Sequence, residues 1–135
     1  MPEAPLVFAR QAFAAMLGQA YDGYPLEACG LLVGRGSNVI RFVACSNVAG
    51  SARVYTIDPK EHLHADIAAE SDGLEVIGVF HSHTHSEPYP SPTDVEQAPD
   101  PEWHYVIASL KREAPEVRSY RIVDGTIAEQ AVAVR

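Results

Sequence analysis

Apolar residues run almost unbroken through two stretches, residues 28–33 and residues 76–80, whereas elsewhere they alternate or recur at helical spacing. Such runs predict strands covered on both faces of a sheet. Gly30 and Gly34 inside or beside the first run mark a close backbone approach or a bulge. Residues 6–8 predict a short first strand. From Arg10, the residues Phe13, Met16, Leu17 and Tyr21 recur at three- and four-residue intervals and predict an amphipathic helix, ended by Asp22-Gly23-Tyr24-Pro25. Arg35-Gly36-Ser37-Asn38 reads as a hairpin turn into a strand over 39–45, and residues 54–57 as a further short strand. Asp58-Pro59-Lys60-Glu61 opens a second helix, through Leu63, Ile67 and Ala68 to about Ser71, before a turn at Asp72-Gly73.

Ser91-Pro92-Thr93-Asp94 is another helix start, with Ser91 as N-cap, Pro92 at N1 and Asp94 at N3; Pro99 and Pro101 keep that helix short. Strands follow over 103–109 and 117–123. Asp124-Gly125 is a hairpin signal, and the alternation over 127–134 predicts a last strand with one wet face or an edge. Strands and helices interleave and the C-terminus is an antiparallel meander. The expected fold class is therefore α/β or α+β: one domain spanning residues 1–135, with a curved mixed β-sheet flanked by helices.

Charge removes several function classes. With 10 basic and 18 acidic residues the net charge is -8, and no basic run occurs, so nucleic acid and anionic membrane are not expected partners. The absence of a signal core or a membrane-length apolar stretch leads to the expectation of a soluble protein. The two cysteines, Cys29 and Cys45, make no disulfide framework, which favours a reducing cytoplasm, although a bond between them is left open.

The chemistry is concentrated after the second apolar run. His81 and His83 continue that strand at i and i+2, so their imidazoles share a face while Ser82 points away as a structural hydrogen-bonding residue. Asp94, on the first turn of its helix, can face back towards them. Two neutral imidazoles and one carboxylate suit zinc and leave a fourth position for water. Glu27 stands at the mouth of the first buried strand, where an unpartnered acid is costly unless it is exposed or used. Beside a metal it is the natural general base. His62 and His64 lie at i and i+2 on a helix, do not face each other, and read as solvent-facing. His85 reads as a solvated loop residue, His104 and Trp103 as sheet residues, and Cys29 as a small buried side chain.

His81-Ser82-His83, then Ser91 and Asp94 at fixed spacing, preceded by Glu27 in an E-x-C-G-L-L-x-G context, resembles the JAMM (MPN-plus) zinc metalloprotease motif. The likeness extends over nearly the whole chain; Thr84 departs from it, since many members carry proline there. The resemblance implies an MPN/JAB1 (cytidine deaminase-like) fold and one Zn²⁺ per chain on His81, His83 and Asp94. It also implies Glu27 as the catalytic base and Ser91 as support for the oxyanion. The runs H-S-H-T and E-x-Y-P-S-x-T-D, with H-Y-V and R-S-Y-R-I-V-D-G further on, are similar to the actinobacterial Mec branch. That implies release of cysteine from a ubiquitin-like sulfur carrier protein with a C-terminal Gly-Gly tail, in cysteine biosynthesis. A general isopeptidase acting on other ubiquitin-like conjugates and a non-catalytic MPN scaffold stay open beside it. A base deaminase would require P-C-x-x-C and a zincin H-E-x-x-H, and neither occurs.

Overall fold

A computed structural model describes residues 3–135. In chain order its elements are β1 (Leu6–Phe8), α1 (Arg10–Gly23), β2 (Cys29–Arg35), β3 (Asn38–Cys45), α2 (Pro59–Ser71), β4 (Glu75–His83), α3 (Pro92–Glu96), β5 (His104–Ser109), β6 (Glu116–Val123), β7 (Thr126–Gln130) and β8 (Val132–Val134). All eight strands join one mixed sheet in the order β7-β6-β5-β4-β2-β3-β1-β8. β4 runs antiparallel to β2 and parallel to β5, and it is buried from Ile77 to its end, as an uninterrupted apolar run requires.

Alternation along β4 sends Phe80 to one face and Val79 to the other. Phe80 joins Leu6, Phe8, Leu32, Val106 and the buried face of α1 in one core cluster. Val79 joins Cys29, Leu31, Tyr105, Ile107, Tyr120 and Ala65 of α2 in the second. Burying each large side chain contributes roughly 1.5–3 kcal/mol. Gly30 admits a close approach: a Cβ there would lie 2.4 Å from the Phe42 ring across the β2–β3 pair. Gly34 sits at a register shift in that pair, the bulge its position suggests.

Four features differ from what the sequence pattern predicts. Residues 54–57 form no strand; only an isolated bridge, Asn47 to Ile57, marks them. The predicted last strand is two, because Ala131 lies between β7, which pairs with β6, and β8, which pairs with β1 at the opposite end of the sheet. One short segment therefore joins both sheet edges and curls the sheet. On α1 the buried line is Ala12, Met16 and Ala20, and Tyr21 is half-exposed. On α2, Ala65 and Ala69 face the sheet while Leu63 and Ile67 are 57% and 59% exposed, because a helix lying close on a sheet has room there only for small side chains.

Cys29 and Cys45 are opposed across β2 and β3, both buried free thiols. Burial pushes Cys29 up to about 12 and Cys45 up to about 11, so neither is a nucleophile at neutral pH. Among the described residues no helix is long and apolar enough to cross a membrane.

Candidate metal centre

β4 ends inside the sheet, and that fixes its two histidines. His81 is paired with Cys29 on one side and Ile107 on the other, and His83 with Ser109. Both imidazoles are buried on the face shared with Val79, and their Nε2 atoms stand 3.0 Å apart. Asp94 reaches them from α3. The start of that helix is a capping box: Ser91 Oγ accepts from the Asp94 backbone N–H at 3.1 Å, and Asp94 Oδ2 accepts from the Ser91 N–H at 2.8 Å. The same Oδ2 lies 3.1 Å from His81 Nε2 and 3.2 Å from His83 Nε2.

These are the separations of one face of a coordination tetrahedron. Ligand atoms held about 2.0 Å from a tetrahedral zinc ion lie about 3.3 Å from one another. The three atoms here are 3.0–3.2 Å apart, so the donor set fits such an ion in spacing as well as in chemistry. The ring of His83 is already oriented for coordination, because its Nδ1 donates to the Glu87 carbonyl at 2.7 Å and leaves the Nε2 lone pair facing the cluster.

The charges of the three groups are coupled. Burial raises the Asp94 carboxyl, but hydrogen bonds from His81, His83 and the Ser91 N–H outweigh it and hold the group well below the ordinary carboxylate range. Burial dominates at His81 and lowers its pKa, favouring neutral imidazole. At His83 burial also lowers, but hydrogen bonds to Asp94 and to the Glu87 carbonyl leave the net shift upward.

Glu27 is 4% exposed, and its Oε1 has no hydrogen-bond partner among the described residues. Burial pushes this carboxyl up to about 8, with His83 pulling it down and Asp94 pushing it up, which places it within the electrostatic reach of the cluster. An orphaned buried carboxyl oxygen is rare and calls for a purpose. The backbone around it is pinned. Ala28 N–H donates to Ser82 Oγ at 2.8 Å and Ser82 N–H returns a bond to the Ala28 carbonyl, so Ser82 is turned away from the histidines and ties β2 to β4 beside Glu27. Ser91 Oγ accepts from Asp94, yet its own O–H proton is left to donate.

Residues 84–90 form a wall anchored from below. Leu110 N–H donates to the His83 carbonyl, Ser109 Oγ to the Ser86 carbonyl and the Tyr120 hydroxyl to the Pro88 carbonyl, while Lys111 and Arg112 hold the Glu87 carboxylate at 3.1 and 2.6 Å. His85 is exposed at the rim, between Thr84 and Tyr24. His104 is structural, bound to Gln130 and the Gly36 carbonyl; Trp103 packs on the second core cluster. His64 is exposed, whereas His62 is partly covered by Trp103. Tyr55 is a member of the site that the sequence pattern does not reveal: its ring stacks on His81 at 4.4 Å and 17°. Its place in a short apolar run carries no sign of this.

Residues 9–123 match the family described as prokaryotic homologs of the JAB domain. The chain is 39% identical over 132 residues to a CysO-cysteine peptidase of Mycobacterium tuberculosis, covering 96% of this chain and 90% of that one. It is 38% identical over 116 residues to a desampylase of Haloferax volcanii, covering 81% and 84%. Its fold matches the crystal structure of a JAB1/MPN domain protein from Archaeoglobus fulgidus with a TM-score of 0.64 at 18% identity, covering 97% of this chain and all of the other.

Proposed function

Because the chain belongs to the prokaryotic JAB-domain family and is a metallopeptidase of the JAMM/MPN type, we propose that it cleaves the bond joining cysteine to the C-terminus of a ubiquitin-like sulfur carrier protein. The release would serve cysteine biosynthesis in the cytoplasm, with residues 1–135 acting as one domain. The observation that carries this reading is the meeting of three ligand atoms, 3.0–3.2 Å apart, with an orphaned buried carboxylate.

His81, His83 and Asp94 would hold one zinc ion. When bound, the ion supplies a Lewis acid that makes water nucleophilic near neutral pH and polarises the scissile carbonyl. Glu27 takes the proton of the attacking water on its carboxylate and returns it to the leaving amine. Its apolar setting suits both transfers, since a carboxyl raised towards neutrality can accept and give a proton at the same pH. The Ser91 O–H donates a hydrogen bond to the oxyanion while its oxygen keeps the cap on α3. The anchored wall over 84–90 keeps the imidazoles oriented and limits the room for what leaves.

The choice of substrate follows the similarity to the Mycobacterium CysO-cysteine peptidase and the likeness of the HSHT segment, and a flexible Gly-Gly tail is expected to need the least room near His81 and His83. A sulfur carrier ending in Gly-Gly-Cys is expected to lose one cysteine in mass spectrometry, and lysine-linked diubiquitin to be cut far more slowly. The similarity to a desampylase favours a second reading, general isopeptidase activity on ubiquitin-like conjugates. Faster cleavage of diubiquitin under the same conditions would establish that reading and exclude the first.

A further inference from the structure

Residues 46–57, between β3 and α2, cross the candidate centre without forming a strand. Irregular connections of this length are uncommon in small domains, and those that are ordered tend to serve a site. Within it Ser51 Oγ accepts from the Arg53 and Val54 N–H groups, and Asn47 gathers its two ends. Asn47 Nδ2 donates to the carbonyls of Glu27 at 3.0 Å and Val54 at 3.0 Å, with a longer contact to the Ser51 carbonyl at 3.4 Å. Its Oδ1 accepts from the N–H groups of Ala49 at 3.1 Å and Thr56 at 3.0 Å. Val54 and Thr56 flank Tyr55, whose ring lies on His81. Glu27 N–H in turn donates to the Ser51 carbonyl at 2.8 Å, and Thr84 Oγ1 to the Ala52 carbonyl at 3.4 Å, so the strap is tied to the base on one side and to the wall on the other.

We propose that Asn47 is a positioning residue that couples the two halves of the reaction: one amide fixes the main chain of Glu27 and, through the peptide groups on either side of Tyr55, seats an aromatic ring against His81. This double role determines the residue type. Aspartate of the same length has no N–H to give the Glu27 and Val54 carbonyls, and glutamine reaches too far. Tyr55 acts by contact: a ring 4.4 Å from the imidazole and nearly parallel to it restricts rotation of His81, as the Glu87 carbonyl restricts His83. Hydrogen-bonded partners that orient a ligand are worth about 10–100-fold in metal affinity, and the lower end of that range is the scale expected for the Tyr55 contact. The strap thus adds to a base-and-metal site a common mechanical reference for both parts, an inference that rests on the zinc-peptidase reading.

The test uses the full chain, with zinc affinity measured by competition against a chromophoric chelator and turnover on the carrier–cysteine adduct. Asn47→Asp is expected to lower kcat at least about tenfold with KM within about twofold, and to weaken zinc affinity. Tyr55→Ala is expected to weaken zinc affinity about tenfold, and Tyr55→Phe, which keeps the ring, to stay within about twofold of the parent. Should Asn47→Asp not fold, the comparison of the two Tyr55 variants decides. An unchanged kcat in folded Asn47→Asp, or equal zinc affinity in Tyr55→Ala and Tyr55→Phe, overturns the inference. A parent protein that binds no zinc overturns instead the reading on which it rests.

Discussion

Glu27→Ala is expected to retain a full complement of zinc and to lose turnover by about 10²–10⁴-fold, the usual contribution of a positioned proton-transfer group. The two outcomes separate because of where the residue sits. His81, His83 and Asp94 have their ligand atoms clustered together, and Glu27 is outside that cluster, on the mouth of β2. Removing it leaves the three donors and their supports intact: the Glu87 carbonyl on His83, the Ser91 N–H on Asp94 and Tyr55 on His81. What is lost is a buried carboxyl oxygen that bonds to no other described residue. The fold should tolerate the loss, because an unpartnered buried carboxyl contributes no hydrogen bond and carries a desolvation cost. Zinc by atomic absorption beside initial rates on the carrier–cysteine adduct checks both parts. A zinc-loaded variant keeping a tenth of the parent rate would remove Glu27 from the mechanism.

His83→Ala and Asp94→Ala are expected to lose the metal itself, leaving less than about a tenth of the parent's zinc after purification, since two donors hold the ion poorly. Asp94 should be the more damaging. Its Oδ2 faces both imidazoles and also accepts from the Ser91 N–H, so the substitution breaks one of the two bonds of the α3 capping box as well as removing a ligand. Acid should also release the ion from the parent, since only neutral imidazole coordinates and protonation of His81 and His83 removes two of the three donors. Full zinc occupancy in either purified variant would show that the ligand set is wrong.

Much of the centre was legible because it depends on local periodicity. A strand puts i and i+2 on one face whatever it packs against, and Ser-Pro-x-Asp caps a helix by its own side chains; these pair His81 with His83 and put Asp94 on a first helical turn, while the approach of that turn to the histidines is set by the fold. The acid at position 27 stands out because the apolar run behind it has to be buried. The strap was not legible for the opposite reason. Tyr55 and Ile57 are partly buried against the second core cluster, not through a ladder of strand hydrogen bonds, so the apolar run over 54–57 mimics a strand. Nor does anything in the local pattern around Asn47 announce five partners spread from Glu27 to Thr56. The outward turn of Leu63 and Ile67 and the split at Ala131 arise from long-range geometry, the first from how closely α2 approaches the sheet, the second from pairing of the C-terminal strand with β1.

Zinc dependence is most directly tested by stripping the protein of metal and titrating zinc back while following loss of cysteine from the carrier adduct by mass spectrometry. Activity is expected to be absent without metal, to rise in proportion to added zinc and to level off at one ion per chain. Full activity in the stripped protein, or a plateau unrelated to that stoichiometry, would contradict a single centre built on His81, His83 and Asp94.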